Sequence, residues 1–139
     1  MLIDFVIPGE PPRVTAQQKG ERVVHGRVIH YEKSVVKTVR EMYAMYARAA
    51  LPHGWEPMKG PVRLYVAFRF GTDERRKEGR WKTTRPDTDN MAKALKDAMN
   101  GIVYVDDSQV ASEQYDKYWV RRESAGIHVR IEEMEDENV

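Results

Sequence analysis

Apolar and polar residues alternate along several segments of the 139-residue chain, and this alternation predicts its strands. In 62–70 every second position is apolar, so either Leu64, Val66, Phe68 and Phe70 or the opposite set faces a core. Shorter or less regular patterns predict a first strand over 2–7 and two final strands over 109–120 and 126–132.

Two other segments have their apolar residues at helical spacing. The first helix is predicted over about 32–51 and ends before a stretch rich in proline and glycine. Its apolar stripe is expected to face the core or a second copy of the chain. The stripe consists of Val35, Val39, Met42, Tyr43, Tyr46 and Ala50.

The second helix is predicted over 89–99 because its apolar residues recur at intervals of three and four. Asp89 is the expected N-cap, since Pro86 disfavours helix further upstream and a carboxylate can accept the unpaired N–H groups of a first turn. Asn100 and Gly101 both tolerate a left-handed backbone and are expected to end the helix. The stripe consists of Met91, Ala94, Leu95, Ala98 and Met99.

The connections complete the predicted order of elements. Residues 9–30 form a long basic connection with a possible hairpin over 22–29 around His25-Gly26, and the β-branched run 102–105 predicts a short strand. The resulting order is strand, helix, strand, helix, strand, strand, strand. It predicts an α+β two-layer sandwich, in which a mixed β-sheet carries two helices on one face.

Composition limits the class of protein. Residues 1–139, of which 41% are hydrophobic, suit one domain with a modest core. The absence of cysteine excludes disulfides and thiolate zinc sites. No segment resembles a signal peptide or membrane span, so we expect a soluble cytoplasmic protein without a membrane partner or small-molecule cofactor.

The net charge of +1 conceals an uneven distribution. The acidic residues are concentrated at 132–137, and a flexible acidic tail is expected over 133–139. Basic residues are concentrated in the loop 72–85, with a tryptophan among them. Cations can hold phosphates and a ring can stack on an unpaired base, although a solvated charged loop is the plain alternative. The DNA-binding candidates are Arg13, Arg75, Arg76, Lys77, Arg80, Trp81, Lys82 and Arg85.

Two acidic pairs flank the second helix, Asp87 with Asp89 and Asp106 with Asp107. The helix should carry the chain about 16 Å away and the next six residues should bring it back, so these carboxylates are expected to meet. Converging carboxylates repel one another unless a cation neutralises them, and Mg²⁺ prefers oxygen ligands. Lys93 lies one turn above Asp89 and points towards the same place.

Ordinary interpretations of the same residues remain open. Lys93 can form a surface ion pair with Asp89 or Asp97, Asp89 can be a helix cap alone, and the other acids can be turn residues. Neighbours in a strand face opposite ways, so Asp106 and Asp107 can both face a metal only if the strand has already ended in a turn.

The segment 85–101, with the sequence RPDTDNMAKALKDAMNG, and the following VDDSQV at 105–110 resemble the signature of the RusA-type Holliday junction resolvases of bacteria and their phages. By this resemblance the essential aspartates of the family fall on Asp87, Asp89 and Asp107, its essential lysine on Lys93, and Asp106 occupies the neighbouring acidic position.

The resemblance implies a RusA-like fold and a Mg²⁺-dependent endodeoxyribonuclease that resolves four-way DNA junctions, with Mn²⁺ expected to substitute. The ligands would be Asp87, Asp89 and Asp107, with Asp106 in support. A two-fold symmetric substrate favours a homodimer that cuts two strands symmetrically. The alternatives are a structure-specific DNA-binding protein and a less selective nuclease for branched DNA or flaps.

Overall fold

The protein is described by a computed structural model that covers residues 1–13, 19–24, 27–32 and 34–136. Its strands are β1 (Leu2–Pro8), β2 (Lys19–Val24), β3 (Arg27–Glu32), β4 (Val62–Thr72), β5 (Val110–Arg121) and β6 (Gly126–Glu133), and its helices are α1 (Ser34–Ala50) and α2 (Thr88–Met99). Three short 3-10 turns lie at Arg75–Lys77, Asp107–Gln109 and Arg122–Ser124.

The main sheet has the strand order β1-β6-β4-β5. Strand β6 is antiparallel to both β1 and β4, whereas β4 and β5 are parallel and are joined through α2. Parallel neighbours need such a crossover, and the helix in it lies against the sheet. The mixed sheet with two helices confirms the predicted α+β fold.

One face of the sheet forms the core with both helices. On β4 the set of Leu64, Val66, Phe68 and Phe70 is fully buried there, which is one of the two predicted sets. Ile3, Ile7 and the apolar residues of β6 join the same core. From the helices, Tyr43 and Ala47 of α1 and the whole apolar stripe of α2 join the same cluster. Val35, predicted for the buried stripe of α1, is instead 48% exposed, and Val36 is buried in its place.

The predicted hairpin is present as the antiparallel pair of β2 and β3, whose last paired residues are Val24 and Arg27. Its turn residues, His25 and Gly26, lie outside the described residues. Strand β6 extends to Glu133, the first residue of the predicted tail, and the Glu133 carboxylate accepts hydrogen bonds from the backbone N–H groups of Lys59 (3.1 Å) and Gly60 (2.9 Å).

The strand predicted over 102–105 is wrong, because this segment is a turn. The carbonyl of Met99 accepts hydrogen bonds from the N–H groups of Ile102 and Val103, both at 3.1 Å. Val103 and Tyr104 are fully buried, and the Tyr104 hydroxyl donates to the carbonyl of Lys96 at 2.7 Å. β-branched and aromatic residues are enriched in strands, but here they occupy a turn that is buried in the core, which explains the misleading pattern.

The predicted N-cap of α2 is also wrong by two residues. Asp87, with an extended backbone, is the N-cap, and its carbonyl accepts the first helical hydrogen bond from Met91 at 3.2 Å. Asp89 therefore lies within the first turn. Neither helix in the described part of the chain is long and apolar enough to cross a membrane.

Candidate active site and nucleic-acid surface

A cavity of about 350 Å³ lies between the polar face of α2 and strand β5. Helix α2 presents this face because its apolar stripe is buried against the sheet on the other side. The residues that line the cavity are Asp89, Asn90, Lys93, Lys96, Asp107, Glu113 and Tyr115. Three of the predicted site residues, Asp89, Lys93 and Asp107, thus line one cavity.

Asp107 reaches this cavity from a 3-10 turn that is fixed at both ends. Its backbone N–H donates to the side-chain oxygen of Asn100 at 2.7 Å. The side-chain amide of Gln109 donates to the carbonyls of Met58 (2.7 Å) and Gly60 (3.0 Å), which attaches the turn to the segment before β4. The backbone is therefore no longer extended at Asp107, which is the first residue of the 3-10 turn.

Asp106 has a different position, as the N-cap of this 3-10 turn. Its carboxylate accepts the N–H of Ser108 at 3.0 Å, and its own N–H donates to the side-chain oxygen of Gln109 at 2.8 Å, a reciprocal capping box. Hydrogen bonds from Ser108 hold the pKa of Asp106 below its usual range. Asp106 does not line the cavity, and its role as a metal ligand stays a prediction.

Asp97, on the polar face of α2, interacts with Asp107. Burial, followed by the hydrogen bond with Asp107, raises the pKa of Asp97. The Lys93 amine lies 4.0 Å from an Asp97 oxygen, so of the two ion pairs considered from the sequence, the Lys93–Asp97 pair is present. The Lys93 side chain is 54% exposed, and such a pair contributes little to stability.

Asp87 lies on the other side of Asn90. It lines an adjoining cavity of about 330 Å³ together with Arg13, Arg85, Pro86 and Asn90. Asn90 lines both cavities. The Asp87 carboxylate makes no capping hydrogen bond to α2. The predicted acids therefore occupy two neighbouring cavities and a capping turn.

The carboxylates of the cavity between α2 and β5 are oxygen ligands, which a hard divalent cation prefers. Across the described ranges, no group of three or more His, Cys, Asp or Glu side chains is close enough together to hold a metal ion. Mg²⁺, however, is commonly bound through one or two carboxylates, with water and substrate phosphate oxygens supplying the other ligands. Asp89 and Asp107 provide two carboxylates that line one cavity, which is within the number of protein carboxylates that Mg²⁺ commonly takes.

Strand β5 supplies the opposite wall of the cavity through Glu113 and Tyr115, two residues that were not predicted for the site. The Glu113 carboxylate accepts hydrogen bonds from the Lys96 amine at 3.0 Å and from the Tyr115 hydroxyl. Burial raises the pKa of Glu113, but these two hydrogen bonds outweigh burial and leave the pKa lowered. Burial first, then the Glu113 hydrogen bond and the charge of Asp89, raise the pKa of Tyr115. The period-two spacing of 113 and 115 was the available signal, since it places both on one face.

Lys117 is a further residue that was not singled out from the sequence. Its amine donates to the carbonyls of Thr84 (2.6 Å) and Pro86 (2.8 Å), in the segment that leads into α2. Arg13 donates to the carbonyl of Arg85 in the same segment at 3.2 Å. These contacts fix the backbone immediately before Asp87.

The basic loop forms a surface beside this site. Arg76, Lys77, Arg80 and Trp81 line a recess of about 490 Å³ with Trp119, and Arg75 is exposed in the same 3-10 turn. Arg13 and Arg85 lie separately, in the Asp87 cavity. Their contacts with DNA stay predictions.

Lys82 differs from the other DNA-binding candidates because it is 4% exposed. Its amine lies 4.6 Å from the centre of the Trp119 ring and 5.1 Å from that of Phe70. Burial, followed by the charges of Arg13 and Lys117, lowers its pKa. Lys82 is thus a cation packed on aromatic rings beneath the basic surface, out of direct reach of a phosphate on that surface.

Comparison with known proteins identifies the family of the chain. The family model described as endodeoxyribonuclease RusA matches residues 8–132. The chain is 29% identical over 137 residues to the crossover junction endodeoxyribonuclease rusA of Lactococcus phage r1t, which covers 96% of this chain and 100% of that protein. It is also 29% identical over 139 residues to the uncharacterized protein YqaN of Bacillus subtilis strain 168, which covers 92% of this chain and 95% of that one. The chain belongs to the endodeoxyribonuclease RusA family.

Proposed function

We propose that this protein is a Mg²⁺-dependent endodeoxyribonuclease that resolves four-way DNA junctions, as in recombination and repair, by paired symmetric cleavage. The observation that carries the proposal is that Asp89, Lys93 and Asp107 line one cavity in a chain of this family. The name of the phage relative, a crossover junction endodeoxyribonuclease, supports the choice of substrate.

Asp89 and Asp107 would hold Mg²⁺ in the cavity that both line, with Asp87 and Asp106 as the further acids of the predicted set. When bound, the ion would polarise the scissile phosphate and lower the pKa of the attacking water. Lys93 would place a positive charge where negative charge develops on the phosphorus oxygens or the leaving oxygen. Its weak contact with Asp97 leaves the amine available for that role.

The proposed assembly is a homodimer. The two strands cut in a four-way junction are related by a two-fold axis, so two copies of the cavity related by the same symmetry match the two scissile phosphates. Light scattering at the assay concentration should give the mass of a dimer. A monomer that still cleaves both strands in one binding event would contradict this part of the proposal.

A cleavage assay tests the function directly. Wild-type protein, Asp89→Asn and the control Glu41→Gln, which removes an exposed acid from α1, are incubated with a synthetic four-way junction, a linear duplex and a flap, with EDTA, Mg²⁺ or Mn²⁺. We expect wild type and Glu41→Gln to cut the junction with either metal and not with EDTA. Asp89→Asn should bind the junction as well as wild type or better, because a repulsive charge is removed, and should not cut it.

Other outcomes of this assay contradict the proposal in distinct ways. A wild-type gel shift without cleavage would indicate a structure-specific DNA-binding protein. Flaps or linear duplex cut as fast as the junction would indicate a less selective nuclease. Cleavage by Asp89→Asn at the wild-type rate would remove Asp89 from the site.

A further inference from the structure

Trp81 is the one aromatic residue among the large apolar side chains that are strongly exposed in the described part of the chain. It is 66% exposed, although an exposed indole forgoes a large stabilisation from burial. Exposed aromatic residues at fixed positions are common in binding sites. Trp81 is fixed in this way.

The backbone around Trp81 is attached to β5 as a short additional edge strand. The N–H of Gly79 donates to the carbonyl of Trp119 (2.8 Å), the N–H of Trp119 to the carbonyl of Arg80 (2.9 Å), and the N–H of Lys82 to the carbonyl of Lys117 (2.9 Å). The backbone at Trp81 is therefore held in place, which reduces the entropy that is lost when a ligand binds.

The indole ring is also supported from one edge. Tyr118 lies opposite Trp81 in the edge pairing, and the two rings contact edge-to-face with centres 6.3 Å apart. The Tyr118 hydroxyl accepts a hydrogen bond of 2.8 Å from Arg69, which fixes the tyrosine. Beside the two rings lies a recess of about 230 Å³ lined by Gly79, Trp81 and Tyr118. A Cβ atom added to Gly79 would have no neighbouring atom within 4 Å, so the recess is open to solvent at this glycine.

On its other side Trp81 borders the recess of about 490 Å³ that also contains Arg76 and Arg80. The Arg76 side chain is 82% exposed and its contact with Glu74 is long, at 3.8 Å. Two arginines that face solvent beside an exposed ring combine a stacking surface with positive charge. A flat aromatic ligand attached to anionic groups matches both properties, as a nucleotide does.

We propose that Trp81 stacks on one unpaired nucleobase of a DNA strand whose neighbouring phosphates contact Arg76 and Arg80. Bases inside a duplex are stacked on both faces and offer none to the indole, whereas bases at a branch point can be exposed. The inference rests on the proposed function and refines its substrate: the enzyme would bind unpaired nucleotides at the junction centre through a surface separate from the metal cavity.

Binding measurements in EDTA test this surface without cleavage. The fluorescence anisotropy of a short labelled oligothymidylate and of a blunt duplex of equal length is titrated with wild type, Trp81→Ala, Trp81→Phe and Met45→Ala. Met45 is 57% exposed on α1 and serves as the control for loss of an exposed apolar side chain. We expect Trp81→Ala to weaken oligothymidylate binding about 5- to 150-fold and to leave duplex binding nearly unchanged. Trp81→Phe should retain most of the affinity, and Met45→Ala all of it.

A second measurement tests the phosphate contacts independently of the ring. In a variant with both Arg76→Gln and Arg80→Gln, the dependence of oligothymidylate binding on salt concentration should become shallower, because fewer counterions are released. Oligothymidylate binding by Trp81→Ala at wild-type strength, an equal loss of single-strand and duplex binding, or an altered association state would each overturn the proposal.

The wild-type junction cleavage assay separates this proposal from the function on which it rests. If wild type cuts junctions but Trp81→Ala binds oligothymidylate normally, the stacking role fails and the function stands. If wild type cuts no junction but Trp81 is required for single-strand binding, the function fails and the stacking role stands.

Discussion

The side-chain oxygen of Asn100 accepts a 2.7 Å hydrogen bond from the backbone N–H of Asp107. This bond joins the C-terminal end of α2 to the 3-10 turn that carries Asp107. Asp89 belongs to the first turn of the same helix. The hydrogen bond therefore fixes the position of Asp107 relative to the helix that carries Asp89, and both residues are proposed metal ligands. Asn100 is therefore a positioning residue.

Replacement of Asn100 by alanine should release Asp107 without disturbing the core, since Asn100 is exposed. Loss of such supporting contacts typically lowers metal affinity or activity about 10- to 100-fold. We expect junction cleavage to need more Mg²⁺ and the melting temperature to change little. The control is Thr38→Ala, which removes an exposed hydrogen bond from a side chain to the backbone of α1. Equal effects of the two variants on the Mg²⁺ dependence would contradict the role of Asn100.

Lys93→Met should lower the cleavage rate with little effect on junction affinity. The amine is proposed to act where negative charge develops in the transition state, and removal of one such group commonly costs about 100- to 1,000-fold in rate. Single-turnover cleavage measures the rate, and a gel shift in EDTA measures the affinity. Lys37→Met, at an exposed position of α1, is the matched control. A Lys93→Met protein that cuts at the wild-type rate but binds more weakly would indicate a role in binding alone.

The Glu113 carboxylate should make stability depend on pH in the acidic range. Its pKa in the folded protein is lowered from the ordinary value of 4.5, because the Tyr115 and Lys96 hydrogen bonds outweigh burial. A lowered pKa means that the stabilisation is present above the ordinary value and is lost as the pH falls through the lowered one. Glu113→Gln should therefore denature more easily than wild type at neutral pH, and the difference should shrink as the pH falls below the ordinary value of 4.5. A difference that is constant with pH would exclude this ionisation as its cause.

Lys117→Met should loosen the segment that leads into α2. Its amine donates to two backbone carbonyls, those of Thr84 and Pro86, and the methionine side chain has no donor to replace these bonds. We expect faster hydrogen exchange at the start of α2 and slower junction cleavage, while β5 stays protected. Lys59→Met, which leaves the backbone contact of Lys59 with Glu133 in place, is the control. Unchanged exchange at the start of α2 would show that Lys117 does not hold this segment.

The best-predicted features are those in which a regular period coincides with burial. The set of Leu64, Val66, Phe68 and Phe70 alternates because one face of β4 packs on the helices. The stripe of α2 is buried for the same reason, and its polar face carries Asp89 and Lys93 towards the cavity. The run 102–105 was predicted incorrectly because Val103 and Tyr104 are buried in a turn, where apolar character gives no information about backbone conformation.

By itself the sequence determined the α+β class, the amphipathic α2 with its acidic flanks, and the family, because these depend on local periodicity and on residues that are adjacent along the chain. Only the tertiary structure decided which acids share a cavity and that Glu113 and Tyr115 form the facing wall. It also decided that Lys82 is buried while Trp81 is exposed. The physical reason is that these relations depend on how β5 pairs with β4 and with the segment 79–82. Such contacts join segments that are distant along the chain, and they leave no periodic pattern in the sequence of either segment.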